Sequence, residues 1–195
     1  MFLRAFTLAL VFLIPIGVLA YERQTIEIGD ETYFFVVGSL DEPVMVDDKT
    51  GVSLRVTTKS STGMALPVIG LEETLQVEIM ADDKTLQLPL EASWGDAGAY
   101  DAPFYPTIAT EYSYRFFGTI NDVPVDMTFA CHAEGHAMHG DADTERMELS
   151  DGVMRIEKAG GFGCPESREA VQFPRKTESL ATLSREASNA TNMAT

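Results

Sequence analysis

The stretch CHAEGHAMHG, which begins at Cys131, gathers side chains that bind transition metals. It contains all three histidines of the chain, His132, His136 and His139, and also Met138. Neutral imidazole suits copper, zinc and nickel, and thioether sulfur selects Cu(I). The stretch therefore predicts a metal site whose ligands are these three histidines and the methionine, with copper as the first choice of ion and zinc as the second.

Carboxylates within and beside this stretch extend the same hypothesis. Glu134, Asp141 and Asp143 could supply oxygen ligands or accept hydrogen bonds that orient the imidazole rings. Gly135 and Gly140 argue against a helix, so the histidines would converge from a loop. The alternative is an ordinary surface loop whose histidines are solvated.

The first twenty residues read as a secretory signal peptide. Arg4 supplies the positive start, residues 5–19 are mostly apolar, and Val18 and Ala20 precede a cleavage point before Tyr21. The alternative is an N-terminal anchor that is not cleaved. We therefore expect an exported protein, periplasmic or extracellular, with no membrane span after cleavage.

The two cysteines, Cys131 and Cys164, are expected to form a disulfide because export places them in an oxidising compartment. Closing a loop of about 33 residues is worth roughly 3–4 kcal/mol in the chain-entropy model. The sequence has no C-x-x-C redox motif and no G-x-S-x-G nucleophile motif. We therefore expect a protein that is not an enzyme.

The chain is strongly acidic, with a formal net charge of −16. Such a surface repels phosphate backbones and anionic lipid, which excludes nucleic acid as an expected partner. It favours cations and keeps a protein soluble.

Short segments rich in β-branched and aromatic residues alternate with turn residues between Tyr21 and Pro165. This spacing predicts an all-β, two-sheet sandwich over residues 21–165. Residues 166–195 are polar and are expected to form a flexible tail. The only tryptophan, Trp94, is expected to be a packing residue. The predicted strands cover residues 24–28, 32–38, 52–58, 74–80, 85–90, 112–120, 123–130, 145–149 and 153–158.

Residues 99–120, AYDAPFYPTIATEYSYRFFGTI, carry a family resemblance. The stretch resembles immunoglobulin-like periplasmic domains of the YtkA-like and copper-resistance CopC-like kind. In those domains a strand with alternating Tyr, Ala and Phe leads through Pro-Thr to a Tyr-x-Tyr/Phe-x-Phe strand and a glycine. The resemblance implies an immunoglobulin-like or cupredoxin-like sandwich and an association with copper. The matching residues are Tyr100, Ala102, Phe104, Pro106, Thr107, Tyr112, Tyr114, Phe116 and Gly118.

The stretch FACHAEGHAMHG is also similar to the copper loop of cupredoxins. Phe129, Cys131, the Gly135-His136 pair and Met138 match that loop in order. A blue copper site needs a thiolate and two imidazoles, and its first imidazole comes from an upstream strand. This chain has no histidine before His132, so that ligand is missing.

Three functions remain open from the sequence. The first is an exported copper-binding accessory protein that holds or passes the ion without chemistry of its own, with a metal ion and another envelope protein as partners. The alternative is a non-catalytic immunoglobulin-like interaction or structural module of the cell envelope that needs no metal. A second alternative is a cupredoxin-type electron carrier.

Overall fold

A computed structural model describes residues 21–132 and 142–168. These residues form two antiparallel sheets that pack together, and the predicted all-β sandwich with one disulfide is confirmed. The proposed signal segment 1–20 and the tail beyond Arg168 lie outside the described residues. Within the part of the chain that is described, no helix is long and apolar enough to cross a membrane.

The larger sheet has eight strands, which are β1 (Glu22–Ile28), β2 (Glu31–Ser39), β3 (Thr50–Lys59), β4 (Ala65–Pro67), β7 (Glu91–Ala92), β8 (Ala99–Phe104), β11 (Met147–Ser150) and β12 (Val153–Gly160). Their order is β11-β12-β1-β2-β3-β8-β7, with β4 also paired to β3. Because β8 pairs with the first part of β3 and β4 pairs with its last three residues, β4 and β8 lie end to end on the same side of β3.

The smaller sheet has four strands in the order β10-β9-β5-β6. One turn of 3-10 helix, Leu71–Glu73, precedes it in the chain, and the chain returns to the larger sheet through the buried Leu90. The strands are β5 (Leu75–Ala81), β6 (Lys84–Pro89), β9 (Tyr112–Ile120) and β10 (Val123–Ala130).

The core lies between the sheets and follows the period of two seen in the sequence. In a strand, alternate side chains point to opposite faces, so one apolar set can face inward. The apolar segment YFFVVG lies in β2, which has a neighbouring strand on each side. Alternate apolar residues of β3, β5 and β10 are buried, apart from Val123 at the start of β10, which is half-buried. The buried residues are Val52, Leu54, Val56, Leu75, Val77, Ile79, Val125, Met127 and Phe129.

All nine predicted strands are present, and residues 21–132 and 142–168 contain three further strands. β4 and β7 have only three and two residues, too few to show an alternation. β8 is absent from the predicted strands, although it is the segment with Tyr100, Ala102 and Phe104 that carries the family resemblance. Its interior Pro103 obscured the pattern, since proline is unusual in a strand.

Gly118 lies in β9 at a point where the chain passes very close to the start of β5. Its φ is 141°, a conformation that favours glycine, and a Cβ there would collide with the carbonyl oxygen of Thr74. That carbonyl accepts the N–H of Thr119 at 3.1 Å. The glycine therefore allows β9 to approach the 3-10 turn.

The expectation that Trp94 packs in the protein is wrong. Its side chain is 100% exposed in the turn between β7 and β8. The hydrophobicity of tryptophan suggested burial, but Trp94 lies in a tight turn in which the N–H of Asp96 donates to the carbonyl of Ser93 at 3.3 Å and Gly95 has a φ of 77°. The turn holds the ring out in the solvent.

Candidate functional site

The histidine stretch begins at a stem held by covalent and hydrogen bonds. Cys131 directly follows β10 and forms the predicted disulfide with Cys164, with 4.9 Å between their Cα atoms. The backbone N–H of His132 donates to the carbonyl of Phe162 at 2.9 Å. The N–H of Tyr112 donates to the sulfur of Cys131 at 3.0 Å. The first residue of the candidate site is thus fixed by two neighbouring segments.

A second stem holds the chain where its description resumes. Asp143 and Lys158 exchange two backbone hydrogen bonds, each of 2.8 Å. Lys158 belongs to β12, and Phe162 follows it by only four residues. Four extended residues span at most about 14 Å. Both stems are therefore attached to one short run of chain, which limits how far apart the ends of segment 133–141 can lie.

The structure describes one of the four predicted metal ligands. His132 is exposed at the start of the stretch, beside the buried Cys131. His136, Met138 and His139 lie outside the described residues. Within residues 21–132 and 142–168, no three metal-binding side chains of the His, Cys, Asp and Glu types come together. The described chain thus supplies the frame of the candidate site and one imidazole.

The disulfide determines the chemistry open to Cys131. Both cysteines are bonded to each other, and the chain has no free cysteine. A blue copper site requires a thiolate ligand. In its disulfide form Cys131 has none to offer, so any metal at this stretch would be held by nitrogen, thioether or oxygen.

Asp143, which the sequence suggested as an oxygen ligand or ring-orienting acceptor, is engaged locally. Its Oδ1 accepts the N–H of Glu145 at 2.9 Å. Its Oδ2 lies 3.7 Å from the guanidinium of Arg155. These contacts fix the turn at the second stem. Glu134 and Asp141 lie outside the described residues.

Glu42 contributes a carboxyl group close to the first stem. Its Oε1 accepts the N–H of Gly163 at 3.4 Å, and Gly163 forms a parallel bridge with His132. The residue is exposed as a whole, yet partial desolvation of its carboxyl raises its pKa to about 7, which the Gly163 hydrogen bond opposes. In the sequence Glu42 is one of many acidic turn residues, and nothing marked it out.

A buried carboxylate lies between the two stems. Glu22 is fully buried, and its Oε1 accepts hydrogen bonds from Gln24 Nε2 at 2.7 Å and pairs with Lys158 Nζ at 3.1 Å. Its Oε2 lies 3.4 Å from the N–H of Ala130, one residue before Cys131. A buried charge needs such partners to offset its desolvation. Glu22 therefore links the first strand to both stems.

The polar groups around Glu22 are not all satisfied within the described chain. Gln24 Nε2 also donates to the carbonyl of Thr128 at 3.1 Å, but Gln24 Oε1 is buried without a partner there. Farther along β12, Arg155 Nε is also buried without a partner in the described chain. The sequence hid this cluster because ERQT at the start of β1 reads as a solvated strand end.

Comparison of the chain with protein-family models, with curated proteins and with solved structures found no match in any of the three.

Proposed function

We propose that the protein is an exported metal-binding accessory protein that holds a transition metal ion through His132, His136, His139 and Met138. Copper is the preferred ion and zinc the second. The protein has no chemistry of its own and passes the ion to, or receives it from, another envelope protein. The observation that carries the proposal is the pair of stems, which attach both ends of the histidine stretch to residues 158–162.

The stems support metal binding by lowering its entropic cost. A free loop that must bring several side chains to one ion loses conformational entropy on binding. A loop whose ends are already held close by a disulfide and three backbone hydrogen bonds has lost part of that entropy on folding. His132 is exposed, so its imidazole is accessible to an ion from solvent.

The choice of ion rests on the ligand types. With Cys131 in the disulfide, the ligand set is imidazole and thioether. Thioether sulfur favours Cu(I), and imidazole accommodates Cu(II) and zinc. The acidic surface raises the local concentration of any cation and adds no selectivity among them.

Calorimetric titration of the purified protein with Cu(I), Cu(II) and Zn(II) tests the proposal. We expect one ion to bind per chain, with Cu(I) bound most tightly. The double variant His136→Ala/Met138→Ala should lose roughly a hundredfold or more in Cu(I) affinity, since it removes two ligands and about 1.4 kcal/mol for each corresponds to a factor of ten.

The matched control is Met64→Ala, which removes an exposed methionine far from the stems in the chain. Its Cu(I) affinity should equal that of the wild type. Equal affinities in the double variant and the wild type would show that the ion binds elsewhere. Absence of stoichiometric binding in the wild type would rule out the proposal.

The second candidate function is an interaction module of the cell envelope, and an exposed apolar surface favours it. Trp94 is 100% exposed and Ile69 is 73% exposed. Their segments are adjacent, because the Gly98 carbonyl accepts the N–H of Val56 and that of Val56 accepts the N–H of Val68. Large exposed apolar side chains on adjacent segments often mark a contact with another protein.

A photo-cross-linking residue tests this second function. Placed at position 94 in cells that export the protein, it should give one discrete cross-linked product that persists in the presence of a chelator. The control is the same residue at position 30, in the exposed turn between β1 and β2. Identical patterns at positions 94 and 30 would argue against a specific partner.

A further inference from the structure

The sandwich has an open cleft on the side where β6 forms the edge of the smaller sheet. The cleft has a volume of about 230 Å³ and lies between β5 and β6 on one side and the end of β8 on the other. Its inner wall is apolar, and its rim carries two large exposed side chains, Leu86 (50% exposed) and Tyr105 (60% exposed). The inner wall is formed by Ile79, Ala81, Phe104 and Tyr112.

Backbone groups beside this cleft also lack partners in the described chain. β6 pairs with β5 alone, so its outer edge has no neighbouring strand among residues 21–132 and 142–168. β7 covers only Tyr100 and Asp101 of β8. An exposed strand edge is a template for one more strand, and proteins usually cover such an edge.

The described chain ends close to this cleft. Glu166 pairs with Met45, one residue past the predicted domain boundary at 165. Arg168 Nε donates to the carbonyl of Val46 at 3.3 Å, and its guanidinium pairs with Asp48. Between them, the N–H of Asp47 donates to the carbonyl of Pro106 at 2.8 Å. Pro106 directly follows Tyr105 of the cleft rim, so the tail leaves the sandwich beside the cleft.

The residues that follow have the pattern of an edge strand. Residues 170–174 read AVQFP, in which Val171 and Phe173 alternate with polar Gln172. Phe173 is the only aromatic residue in the tail. It follows Arg168 by five residues, a reach of at most about 17 Å in an extended chain. Pro174 then ends the pattern, as proline does in a strand.

We propose that residues 170–174 of the same chain dock along the outer edge of β6 as an additional strand, with Val171 and Phe173 in the cleft. The tail covers the unpaired edge of the smaller sheet and buries the apolar wall formed by Ile79 and Phe104. This inference does not rest on metal binding, because the cleft and the two stems of the histidine stretch share one residue alone, Tyr112, whose backbone N–H donates to the sulfur of Cys131.

Amide hydrogen exchange of residues 84–88 in the full-length protein tests the docking. The variant Phe173→Ser should raise exchange at these amides roughly tenfold or more, since burial of one phenylalanine has that effect on a local equilibrium. The matched control Leu183→Ser changes an apolar tail residue outside the segment and should leave exchange unchanged. Equal exchange in the wild type and Phe173→Ser would overturn the proposal.

A second variant approaches the docking from the cleft and leaves the tail intact. Leu86→Lys places a charge on the rim and should release the tail, so that trypsin cleaves after Arg175 and Lys176 at least several-fold faster than in the wild type. Unchanged cleavage would overturn the proposal. Far-ultraviolet circular dichroism confirms that the variant is folded.

Varying the protein concentration distinguishes a strand docked from the same chain from one supplied by a second copy. Protection of residues 84–88 that is constant across a hundredfold range of protein concentration, with a monomer in sedimentation, supports docking within one chain. Protection that grows with concentration together with dimer formation would assign the strand to a second copy and overturn docking within one chain.

Discussion

The two long sides of the sandwich are built from different interactions. On the side of the histidine stretch, β10 meets β11, Ser150 Oγ donates to the carbonyl of Pro124 at 2.9 Å, and the disulfide ties Cys131 to Cys164. On the opposite side, β6 has no outer neighbour in the described chain, and the gap to β8 is an apolar cleft. One side is tied together by directional bonds, and the other presents an apolar surface.

This difference separates the two proposals physically. A polar, bonded frame fixes the positions of stems, which is what a metal site needs from its scaffold. An apolar cleft gains free energy from covering its surface, which is what a docking segment supplies. Variants on one side that leave the disulfide and Tyr112 intact should therefore leave the behaviour of the other side unchanged.

The largest expected effect comes from removing the disulfide. Cys131→Ala/Cys164→Ala should lower the free energy of unfolding by about 3–4 kcal/mol, because the unfolded chain is no longer constrained. Urea denaturation of the variant and the oxidised wild type measures this. Cu(I) affinity should fall with it, because the first stem loses its covalent bond. Cu(I) affinity equal to that of the wild type would show that the frame does not depend on the disulfide.

The next effect concerns the buried carboxylate between the stems. Lys158→Met leaves Glu22 buried without its cation and should lower the free energy of unfolding by about 2–4 kcal/mol. The double variant Glu22→Leu/Lys158→Met should recover part of that loss, since no uncompensated charge remains. Both are measured by urea denaturation. As a control, Lys84→Met breaks the exposed pair with Asp83 and should not change stability measurably. If Lys158→Met behaves like this control, Glu22 does not depend on its cation.

A smaller effect on the free energy of unfolding is expected from Tyr100. Its hydroxyl binds the segment that connects β4 in the larger sheet to β5 in the smaller sheet. It donates to the carbonyl of Val68 at 2.7 Å and accepts the N–H of Leu71 at 3.2 Å. Tyr100→Phe should lower the free energy of unfolding by about 1–2 kcal/mol, because both backbone groups lose their partner. Thermal denaturation measures it, with the exposed Tyr105→Phe as the control. A loss in the control as large as in Tyr100→Phe would contradict this assignment.

The fold could be predicted from the sequence because its strands obey one local rule. Strands such as β5 alternate apolar and polar residues, and β2 is apolar on both faces. The sequence of each strand therefore predicts which of its faces are buried. β4 and β7 could not be predicted, since two or three residues pair only because β3 and β8 are already in place. The exposure of Trp94 could not be predicted either, because it is determined by the conformation of the turn in which Trp94 lies.

The candidate site was predictable only in part, for a different reason. The cysteine pairing was predicted from the expectation of export and from there being two cysteines in the chain. Glu22 and Lys158 are 136 residues apart in the chain and meet only because β1 pairs with β12. A local sequence pattern cannot predict a contact that depends on which strands become neighbours. The Glu22–Lys158 pair beside the stems is therefore visible only in the structure.

The smallest expected effect is a pH dependence that belongs to the stem side alone. The pKa of Glu42 is raised from 4.5 to about 7 in the folded protein because its carboxyl is partly desolvated. The folded state therefore holds this proton more tightly than the unfolded state, and the free energy of unfolding falls as pH rises from 4.5 to about 7. Because Glu42 is exposed as a whole, solvent screens its carboxyl, and we expect the free energy of unfolding to fall by only about 1 kcal/mol. Urea denaturation at several pH values, compared between the wild type and Glu42→Gln, isolates it from the titration of the histidines. The difference in free energy of unfolding between the two proteins should change between pH 4.5 and about 7 and stay constant above pH 7. If that difference is the same at every pH, the pKa of Glu42 is equal in the folded and the unfolded protein.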